Sequence, residues 1–344
     1  INKSTDYFNT KLYTGNGSAG HAITGVGFQP DWTWIKNRSA DQNHSLTDSV
    51  RGVTKTIRSD VTTAETTDAQ GQTAFGSDGF TVGSEDKING NGNNIVAWNW
   101  KAGNSAGSSN TDGSITSTVS VNTTAGFSII KYTATGNVGT IGHGLGAVPK
   151  MLIFKDLDDT GGNDWYVHHT STGVNGRLIL NANNAVADNT NFLNQVLPTS
   201  TLITLGTTGQ VNNVGNDFIC YAFSSKIGYS KFGSYTGNGN VNGTFIYTGF
   251  KPAFVILKRT NTSNNWIMFD NKRDPYNEAI RVLFPNTSDD EDAGTGANDL
   301  DFLSNGIKIR EDNGECNGSG DSYIYMAFAE APLVGSNNVP CTAR

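Results

Sequence analysis

The chain has 344 residues, a formal net charge of −7 and only 16% charged residues. Its acidic balance argues against a nucleic-acid partner, because neutralising phosphates requires clustered lysine and arginine, and no run of ~18 apolar residues occurs that would insert into a membrane as a helix. Glycine, asparagine, serine and threonine are abundant whereas long runs of helix-forming residues are absent, so the composition predicts an all-β fold.

One strand-like segment occurs three times along the chain. Residues 27–36, 146–155 and 249–258 share the pattern glycine, two residues, proline, one residue, apolar, one residue, two apolar residues and lysine. Proline fixes its own φ and lacks the N–H that a sheet ladder needs, so each copy is predicted to be a strand that begins just after proline. In each copy, alternation sends apolar side chains to both faces of the strand. We therefore expect this strand to be central in its sheet.

The match continues on both sides of this strand. A Tyr-Thr-Gly or Tyr-Thr-Ala segment lies upstream, and a turn rich in glycine and asparagine followed by an aromatic run lies downstream. The prolines are 119 and then 103 residues apart, which is too long for a solenoid unit of ~20 to 50 residues. We therefore predict three tandem antiparallel β-sandwich domains, at residues 1–103, 114–228 and 229–344.

Two connections are predicted from turn-forming residues. Residues 104–113 carry only small and polar side chains, which indicates a flexible linker between the first two domains. The third domain follows after a much shorter connection, so domains two and three are expected to have the more fixed mutual orientation. In domain one, the strand after Asp78 is followed by an Asn-Gly turn, which predicts an antiparallel hairpin with the aromatic run at residues 95–100.

The repeated lysine has a candidate partner further along each copy. In two copies an aspartate follows the lysine by 12 residues, and in the other a histidine follows it by 14, so a hairpin would bring the two side chains together. Such a pair could be catalytic, but a feature present in several tandem copies more often belongs to the scaffold, where breaking it would strand a buried charge. We assign these pairs to structure: Lys36 with Asp48, Lys155 with His169, and Lys258 with Asp270.

Two clusters of ligand-type residues are weighed as metal sites. His168 and His169 are adjacent and near Asp164, but neighbouring side chains on a strand point to opposite faces and do not readily share an ion. The acidic run from Asp289 to Asp292 offers oxygen ligands for calcium, yet it lacks the alternating ligand spacing and the turn glycine of a calcium loop. The sequence favours a solvated loop there, and no metal or other cofactor is predicted.

Cysteines and tryptophans leave one binding hypothesis open. Cys220 lies within a strand run and is interpreted as a buried free thiol, while Cys316 and Cys341 could pair, which spacing alone does not show. The six tryptophans are assigned mainly to the core, because facing sheets need large inward side chains. Stacking of a sugar on an exposed tryptophan is the alternative. The tryptophans are Trp32, Trp34, Trp98, Trp100, Trp165 and Trp266.

No motif in this sequence selects a catalytic centre. It has no phosphate-binding loop of the Gly-x-x-x-x-Gly-Lys-Ser type and no dinucleotide fingerprint placed between a strand and a helix. A pair of carboxylates for glycoside cleavage is defined by its spatial separation, and nothing in the sequence selects one. No catalytic residue is assigned, and the chain is predicted not to be an enzyme.

Several of these motifs together suggest a family. They are Tyr-Thr-Gly-Asn-Gly, Gly-Phe-x-Pro followed by Ile/Leu-Lys, and the segments at residues 78–83, 96–103, 229–235 and 326–332. Over nearly the whole chain the sequence resembles a family of repeat-containing structural proteins of tailed bacteriophages, especially marine ones, often described as tail-fibre-like. The resemblance implies β-sandwich domains of jelly-roll or lectin-like appearance on a virion, and it carries over no catalytic residues. Domain two departs most, since Thr201 stands where Gly79 and Gly306 stand.

The expected function is a non-enzymatic part of a virion, in the tail or its fibres, that serves structure or host-surface adhesion. Tandem modules, multiplied further in a homo-oligomer with other virion proteins, would turn weak contacts with a host polysaccharide into firm attachment by avidity. Three alternatives are kept: a carbohydrate-binding repeat protein of a secreted bacterial adhesin or enzyme, a tail-borne glycan depolymerase, and a capsid-decorating or filament-forming protein.

Overall fold

The computed structural model describes residues 1, 3–159, 161–292, 298–330, 333–334 and 340–341. The protein is all-β, with 41% strand and 4% helix arranged as several antiparallel sheets, as its composition predicts. Within the described ranges, no helix is long and apolar enough to cross a membrane.

Repeat 1 (residues 1–103) forms a large and a small antiparallel sheet. Its elements are a 3-10 turn at Ser4–Asp6, β1 (Phe8–Thr14), β2 (His21–Thr24), β3 (Trp32–Asn37), β4 (Ser45–Asp48), β5 (Lys55–Thr56), β6 (Thr66–Thr67), β7 (Gln72–Gly76), β8 (Gly79–Val82), α1 (Asp86–Asn89) and β9 (Asn94–Trp100). The large sheet has the order β1-β9-β3-β4 and the small one β2-β8-β7, while β5 pairs with β6.

Repeat 2 (residues 114–228) has the same plan with a wider large sheet. Its elements, with one strand that precedes it, are β10 (Ser108–Asn110), β11 (Ser117–Asn122), β12 (Phe127–Thr133), β13 (Gly139–Gly142), β14 (Met151–Asp156), β15 (Tyr166–His169), a 3-10 turn at Thr170–Thr172, β16 (Gly176–Ile179), β17 (Ala187–Asp188), β18 (Leu202–Leu205), α2 (Gly209–Asn212) and β19 (Asp217–Phe223). The large sheet has the order β10-β11-β12-β19-β14-β15-β16-β17, and β13 pairs with β18.

Repeat 3 (residues 229–344) returns to the dimensions of repeat 1. Its elements are β20 (Ser230–Thr236), β21 (Phe245–Tyr247), β22 (Pro252–Arg259), β23 (Trp266–Asp270), β24 (Leu300–Leu303), β25 (Gly306–Ile309), β26 (Ser322–Ala329), β27 (Leu333–Val334) and β28 (Pro340–Cys341). The large sheet has the order β20-β26-β22-β23 and the small one β21-β25-β24, while β27 pairs with β28.

The segment that occurs three times in the sequence forms the equivalent strand in each repeat. It forms β3, β14 and β22, and each lies between the closing strand of its repeat and the strand that follows it in sequence. The strands β3 and β14 begin two residues after Pro30 and Pro149. Pro252 is the first residue of β22, and a bulge separates it from Phe254. The prediction of a central strand headed by proline is confirmed.

Each of these central strands is buried on both faces, and the two faces reach different cores. In repeat 1, Ile35 joins a cluster that the large and small sheets enclose between them. Matching clusters contain Phe154 in repeat 2 and Leu257 in repeat 3. The opposite face, which carries Trp32 and Trp34, points away from the small sheet of its own repeat.

The three large sheets bury these remaining faces against one another in a single core. Its members come from every repeat. The ring of Trp32 stacks on Tyr221 of repeat 2 with a centroid distance of 4.3 Å, and Phe8 stacks on Phe328 of repeat 3 at 5.0 Å. One apolar core thus joins all three repeats, and the expectation that repeats 2 and 3 have the more fixed mutual orientation stays a prediction.

The prediction of a flexible linker over residues 104–113 is wrong as well. Residues Ser108–Asn110 form β10, which extends the large sheet of repeat 2 by pairing with β11. Upstream, the buried carboxylate of Asp31 accepts the backbone N–H groups of Ala102 (2.7 Å) and Asn104 (3.0 Å). Small polar side chains thus allow close backbone contacts here, which composition alone does not distinguish from disorder.

A sheet-to-sheet crossover replaces the predicted hairpin between β8 and β9. The two strands lie in different sheets, and α1 connects them. The buried side chain of Asn89 fixes this crossover, because its Nδ2 donates to Ser18 O (2.9 Å) and Gly83 O (2.7 Å) while its Oδ1 accepts from Asn16 N (3.0 Å). The Asn-Gly turn therefore ties two loops together. Asn212 and Asn317 do the same in the other repeats.

The small sheet of repeat 2 departs from the others in the way its glycine is placed. Leu202, and not Thr201, holds the position in the ladder that Gly79 and Gly306 hold elsewhere, and its partner across the sheet is Gly142. The glycine has thus moved to the facing strand, so the predicted equivalence is wrong by one residue.

The shared core predicts that the repeats unfold together. Trp32→Ala should lower the free energy of unfolding by ~3–5 kcal/mol, because it opens a cavity where repeats 1 and 2 meet, and calorimetry should still show one transition whose calorimetric and van't Hoff enthalpies agree. Val138→Ala, in an exposed loop, is the control and should change little. Separate transitions, of which Trp32→Ala moves only one, would contradict the shared core.

Candidate functional site

Several positions that the repeats share lie at the three junctions between the repeats. At one equivalent position each repeat carries an aromatic ring whose N–H meets a backbone carbonyl of a neighbouring repeat. Trp165 donates to Arg58 O at 2.9 Å, and Trp266 donates to Ile179 O at 2.8 Å. In repeat 1 the ring is His44, and its Nε2 lies 3.0 Å from the carbonyl of Phe284.

These three contacts run in one direction around the molecule. Repeat 1 donates to repeat 3, repeat 3 to repeat 2, and repeat 2 to repeat 1. For His44 the contacts define the tautomer, because Nδ1 accepts from Trp34 Nε1 at 2.8 Å and Nε2 therefore carries the proton. Burial lowers the pKa of His44 to about 3, so a neutral ring is what this junction requires.

A second equivalent position, at the end of β4, β15 and β23, carries a buried charge in two junctions. Asp48 binds Arg51 at 2.5 Å and accepts the O–H of Tyr221 from repeat 2 at 2.7 Å. Asp270 binds Arg273 at 2.6 Å and accepts Nε1–H of Trp98 from repeat 1 at 3.0 Å. These carboxylates fix neighbouring sheets against each other.

The third junction has no carboxylate at this position. His169 replaces it, beside Met326 of repeat 3 and Met151 of its own repeat. Its Nδ1 accepts from Ser171 N at 3.1 Å, and the ring lies against the backbone of Tyr325 in repeat 3. Burial lowers its pKa to about 3. Repeats 2 and 3 thus meet at this point through apolar packing around a neutral imidazole.

The predicted pairs between the repeated lysine and these residues are wrong. Asp48 lies opposite Trp32 in the ladder, four residues from Lys36, which is ~13 Å along a strand. Each lysine is buried and donates to backbone carbonyls, and burial lowers the pKa of each to about 8. The acceptors are Asn37 O for Lys36, Thr62 O and Asn163 O for Lys155, and Arg259 O and Asn183 O for Lys258.

The histidine pair and the acidic run, which the sequence offers as candidate metal sites, lie in different parts of the structure. His168 pairs with Leu152 and His169 with Met151 in the ladder, so the two side chains point to opposite faces, as predicted. In the acidic run, Glu291 binds Arg38 of repeat 1 at 2.6 Å and is not the solvated side chain that the sequence favours. The described residues contain no group of three or more metal-ligating side chains placed to hold an ion.

The thiols and tryptophans are interior. Cys220 is a buried free thiol, as predicted, and burial raises its pKa well above the ordinary value. Cys316 is also free and buried, and the side chain of Cys341 lies outside the described residues. All six tryptophans are buried. Stacking of a sugar on an exposed tryptophan is therefore wrong.

A Gly-x-Ser-x-Gly pattern at residues 103–107 needs its own account, because it marks a nucleophile when it lies between a strand and a helix. Here Ser105 lies in the loop between β9 and β10, where its Oγ accepts from Gly107 N at 3.2 Å. Its carbonyl accepts from Ser49 Oγ at 2.9 Å. The next element is a strand, so the pattern lacks the context of a nucleophile elbow.

The exposed aromatic side chains of the described residues all belong to repeat 3. They are Phe245, Tyr247 and Tyr276, with exposed fractions of 43%, 58% and 84%. The first two lie on β21, the edge strand of the small sheet, and flank Ile246, which points into the core of the repeat. Their rings therefore share the outer face of this sheet.

Two neighbouring elements shape this surface. The glycine opposite Tyr247 makes room for the ring of Phe245, because a Cβ on Gly306 would come within 2.8 Å of that ring. From β20, the ammonium of Lys231 lies 4.9 Å from the ring centroid of Tyr247 and donates to its carbonyl at 2.8 Å. We call this surface, with Lys308 on β25, the aromatic face of repeat 3.

The equivalent faces of the other repeats lack aromatic residues. The ladder aligns Phe245 and Tyr247 with Ala22 and Thr24 in repeat 1, and with residues 140 and 142, threonine and glycine, in repeat 2. Repeat 1 keeps a lysine at the position of Lys231, since β1 pairs residue 11 with residue 97 as β20 pairs 231 with 327. The alternation Phe-Ile-Tyr, against small residues in the other two copies, is the sequence signal that identifies this face.

Together these features define an all-β repeat protein whose repeated ionisable groups are buried and whose exposed aromatic groups, in the part of the chain that the structure describes, lie on one repeat. The chain belongs to the family described as a domain of unknown function, DUF7483, whose model matches residues 3–332. That match spans all three repeats. Comparison with curated proteins and with solved structures finds no match.

The buried ion pairs predict a large cost for removing one partner. Asp48→Asn should lower the free energy of unfolding by ~3–5 kcal/mol, because it leaves Arg51 buried without its main counter-charge, as urea denaturation would measure. Asp6→Asn is the matched control, since Asp6 and Lys3 form an exposed pair with the same spacing and should contribute less than ~1 kcal/mol. Equal, small effects of both variants would contradict a structural role for Asp48.

The buried histidines predict a loss of stability in acid. Burial lowers the pKa of His44, His168 and His169 to about 3, 4 and 3, against ~6.5 in an unfolded chain. Their contribution is thus complete above pH 6.5 and is lost as the pH falls from 6.5 toward 4. His169→Gln should reduce the loss of unfolding free energy between pH 6.5 and 5 by ~1.5 kcal/mol.

The matched control for this titration is Met326→Leu, which alters the same junction without changing a titratable group. Urea denaturation at several pH values should give this variant the slope of the wild-type chain. A wild-type slope in His169→Gln would show that His169 is not held neutral in the folded protein.

Proposed function

We propose that this chain is a non-enzymatic structural protein of a bacteriophage virion, a tail or tail-fibre component that contributes to adhesion to host-surface glycans. The observation that carries the proposal is the difference in location between two groups of side chains. The repeated ionisable residues are buried, whereas aromatic rings are displayed on the outer face of repeat 3. This is the arrangement of a rigid scaffold that presents a binding surface.

The non-enzymatic part of the proposal is supported by the fate of the candidate catalytic residues. Asp48 and Asp270 form ion pairs with arginine, and the three repeated lysines donate hydrogen bonds to carbonyl oxygens. A general acid or base must reach its substrate with a titrating atom, and these groups are enclosed in protein. The aromatic face offers ring surfaces and ammonium donors, which suit binding.

The virion assignment is supported by the sequence motifs shared with repeat-containing phage proteins. In this proposal each repeat is a β-sandwich of jelly-roll or lectin-like type, and the chain works as a homo-oligomer together with other virion proteins. Because the inner faces of the large sheets are already buried within the chain, contacts with further copies would use the outer sheets or the strand edges.

A second candidate is favoured by the same aromatic face: a carbohydrate-binding repeat protein of a secreted bacterial adhesin or enzyme. A ring-bearing face on a β-sheet suits a glycan wherever the protein is carried. The location of the protein separates these two candidates, and its position on the particle separates a tail protein from a capsid protein.

Immunogold labelling of purified phage particles with antibodies against this chain tests the proposal. Gold is expected on the tail or its fibres. Labelling of the capsid would replace the tail assignment by that of a capsid-decorating protein, and particles without label would overturn the virion assignment. Labelling with an antiserum preadsorbed on the purified chain is the control and should remove the signal.

A further inference from the structure

We propose that the aromatic face of repeat 3 binds a polysaccharide that carries carboxylates, by stacking its sugar rings on Phe245 and Tyr247 and pairing its carboxylates with Lys231 and Lys308. The inference rests on the proposed adhesion function and names its surface and the chemical class of its ligand.

The two rings form a short, rigid platform. Both lie on the same side of β21, two residues apart, which is ~7 Å along a strand. Ile246 between them is buried, and the ladder with β25 holds the strand in place. Exposed rings on an ordered strand lose little conformational freedom on binding, and a flat aromatic surface matches the C–H face of a sugar ring.

The charge of this surface favours an anionic ligand. Lys231 donates to Tyr247 O and Lys308 donates to Gly243 O, and among the described residues neither ammonium forms an ion pair with a carboxylate. Asp301 lies opposite Lys308 in the ladder and is paired with Arg310 at 2.5 Å. Lys231, Lys308 and Arg310 outnumber Asp301, so this face carries an excess of positive charge although the whole chain has a net charge of −7.

The size of the surface argues against a protein partner. A stable protein interface buries ~800 Å² on each side, whereas the apolar groups on this face are two partly exposed rings and the half-buried Leu303. A lysine beside the edge strand also opposes pairing with a further strand. A chain of sugar rings needs only such a narrow strip, and repetition along the polymer supplies avidity.

The experiment uses the full chain and four immobilised polymers: polygalacturonate, alginate and the methyl esters of both. The esters keep the sugar rings and remove the charge. The variants are Phe245→Ala and Tyr247→Thr, which introduce the residues that repeat 1 carries, and Lys308→Met. Thr24→Ala, on the equivalent face of repeat 1, is the matched control. Thermal unfolding confirms that each variant is folded.

We expect the wild-type chain and Thr24→Ala to bind at least one polyuronate. Phe245→Ala, Tyr247→Thr and Lys308→Met should each weaken this binding by about tenfold, the loss typical of a residue central to an interface, and raised salt should weaken it as well. The esters should bind about tenfold more weakly than the acids.

Equal binding of acids and esters would overturn the charge part of the inference. Binding that survives Phe245→Ala and Tyr247→Thr would overturn the assigned face. If no polyuronate binds while phage tails are labelled with gold, the inference fails and the proposed virion function stands, so the two failures are distinguishable.

Discussion

The structure depends on one apolar contact that all three repeats share. In each repeat the small sheet packs on one face of the large sheet. The other face of the large sheet is apolar and must be buried elsewhere. The three uncovered faces meet, and rings such as Trp32, Tyr221 and Phe328 fill the space between them. Removing any one repeat would expose the faces of the other two, at ~25 cal/mol for each Å² of apolar surface. The chain is therefore expected to unfold as one unit built from three copies of a plan.

Polar groups define how the sheets meet within this core. A ring N–H donates to a backbone carbonyl at each junction, always in the same direction around the molecule. Since a buried donor without a partner is costly, these bonds select one register of the sheets while the apolar area supplies the free energy. The junctions are not identical: Asp48 and Asp270 bridge two of them, and His169 stands in the third. The three junctions share one geometry but differ in their side chains.

This arrangement also explains where function can reside. The three repeated lysines are buried and bound to backbone carbonyls, so they are unavailable to a ligand. The residues on the outer faces of the small sheets are not held in this way, and they differ between repeats. Repeat 3 placed phenylalanine and tyrosine there, whereas repeats 1 and 2 kept small residues. A rigid core with one distinctive outer face is a sound basis for adhesion, because little ordering is required on binding.

The sequence by itself determined the all-β class, the threefold repetition, the central strand and its two apolar faces, since these follow from local propensity and from a side-chain period of two. It also identified the tryptophans as core residues and Cys220 as a buried thiol. Only the tertiary structure decided that the second apolar face meets the other repeats, that Asp48 binds Arg51 and not Lys36, and that residues 108–110 form a strand. The reason is physical: a strand pattern shows that a face must be buried, but the identity of what covers it depends on contacts between residues far apart in the chain.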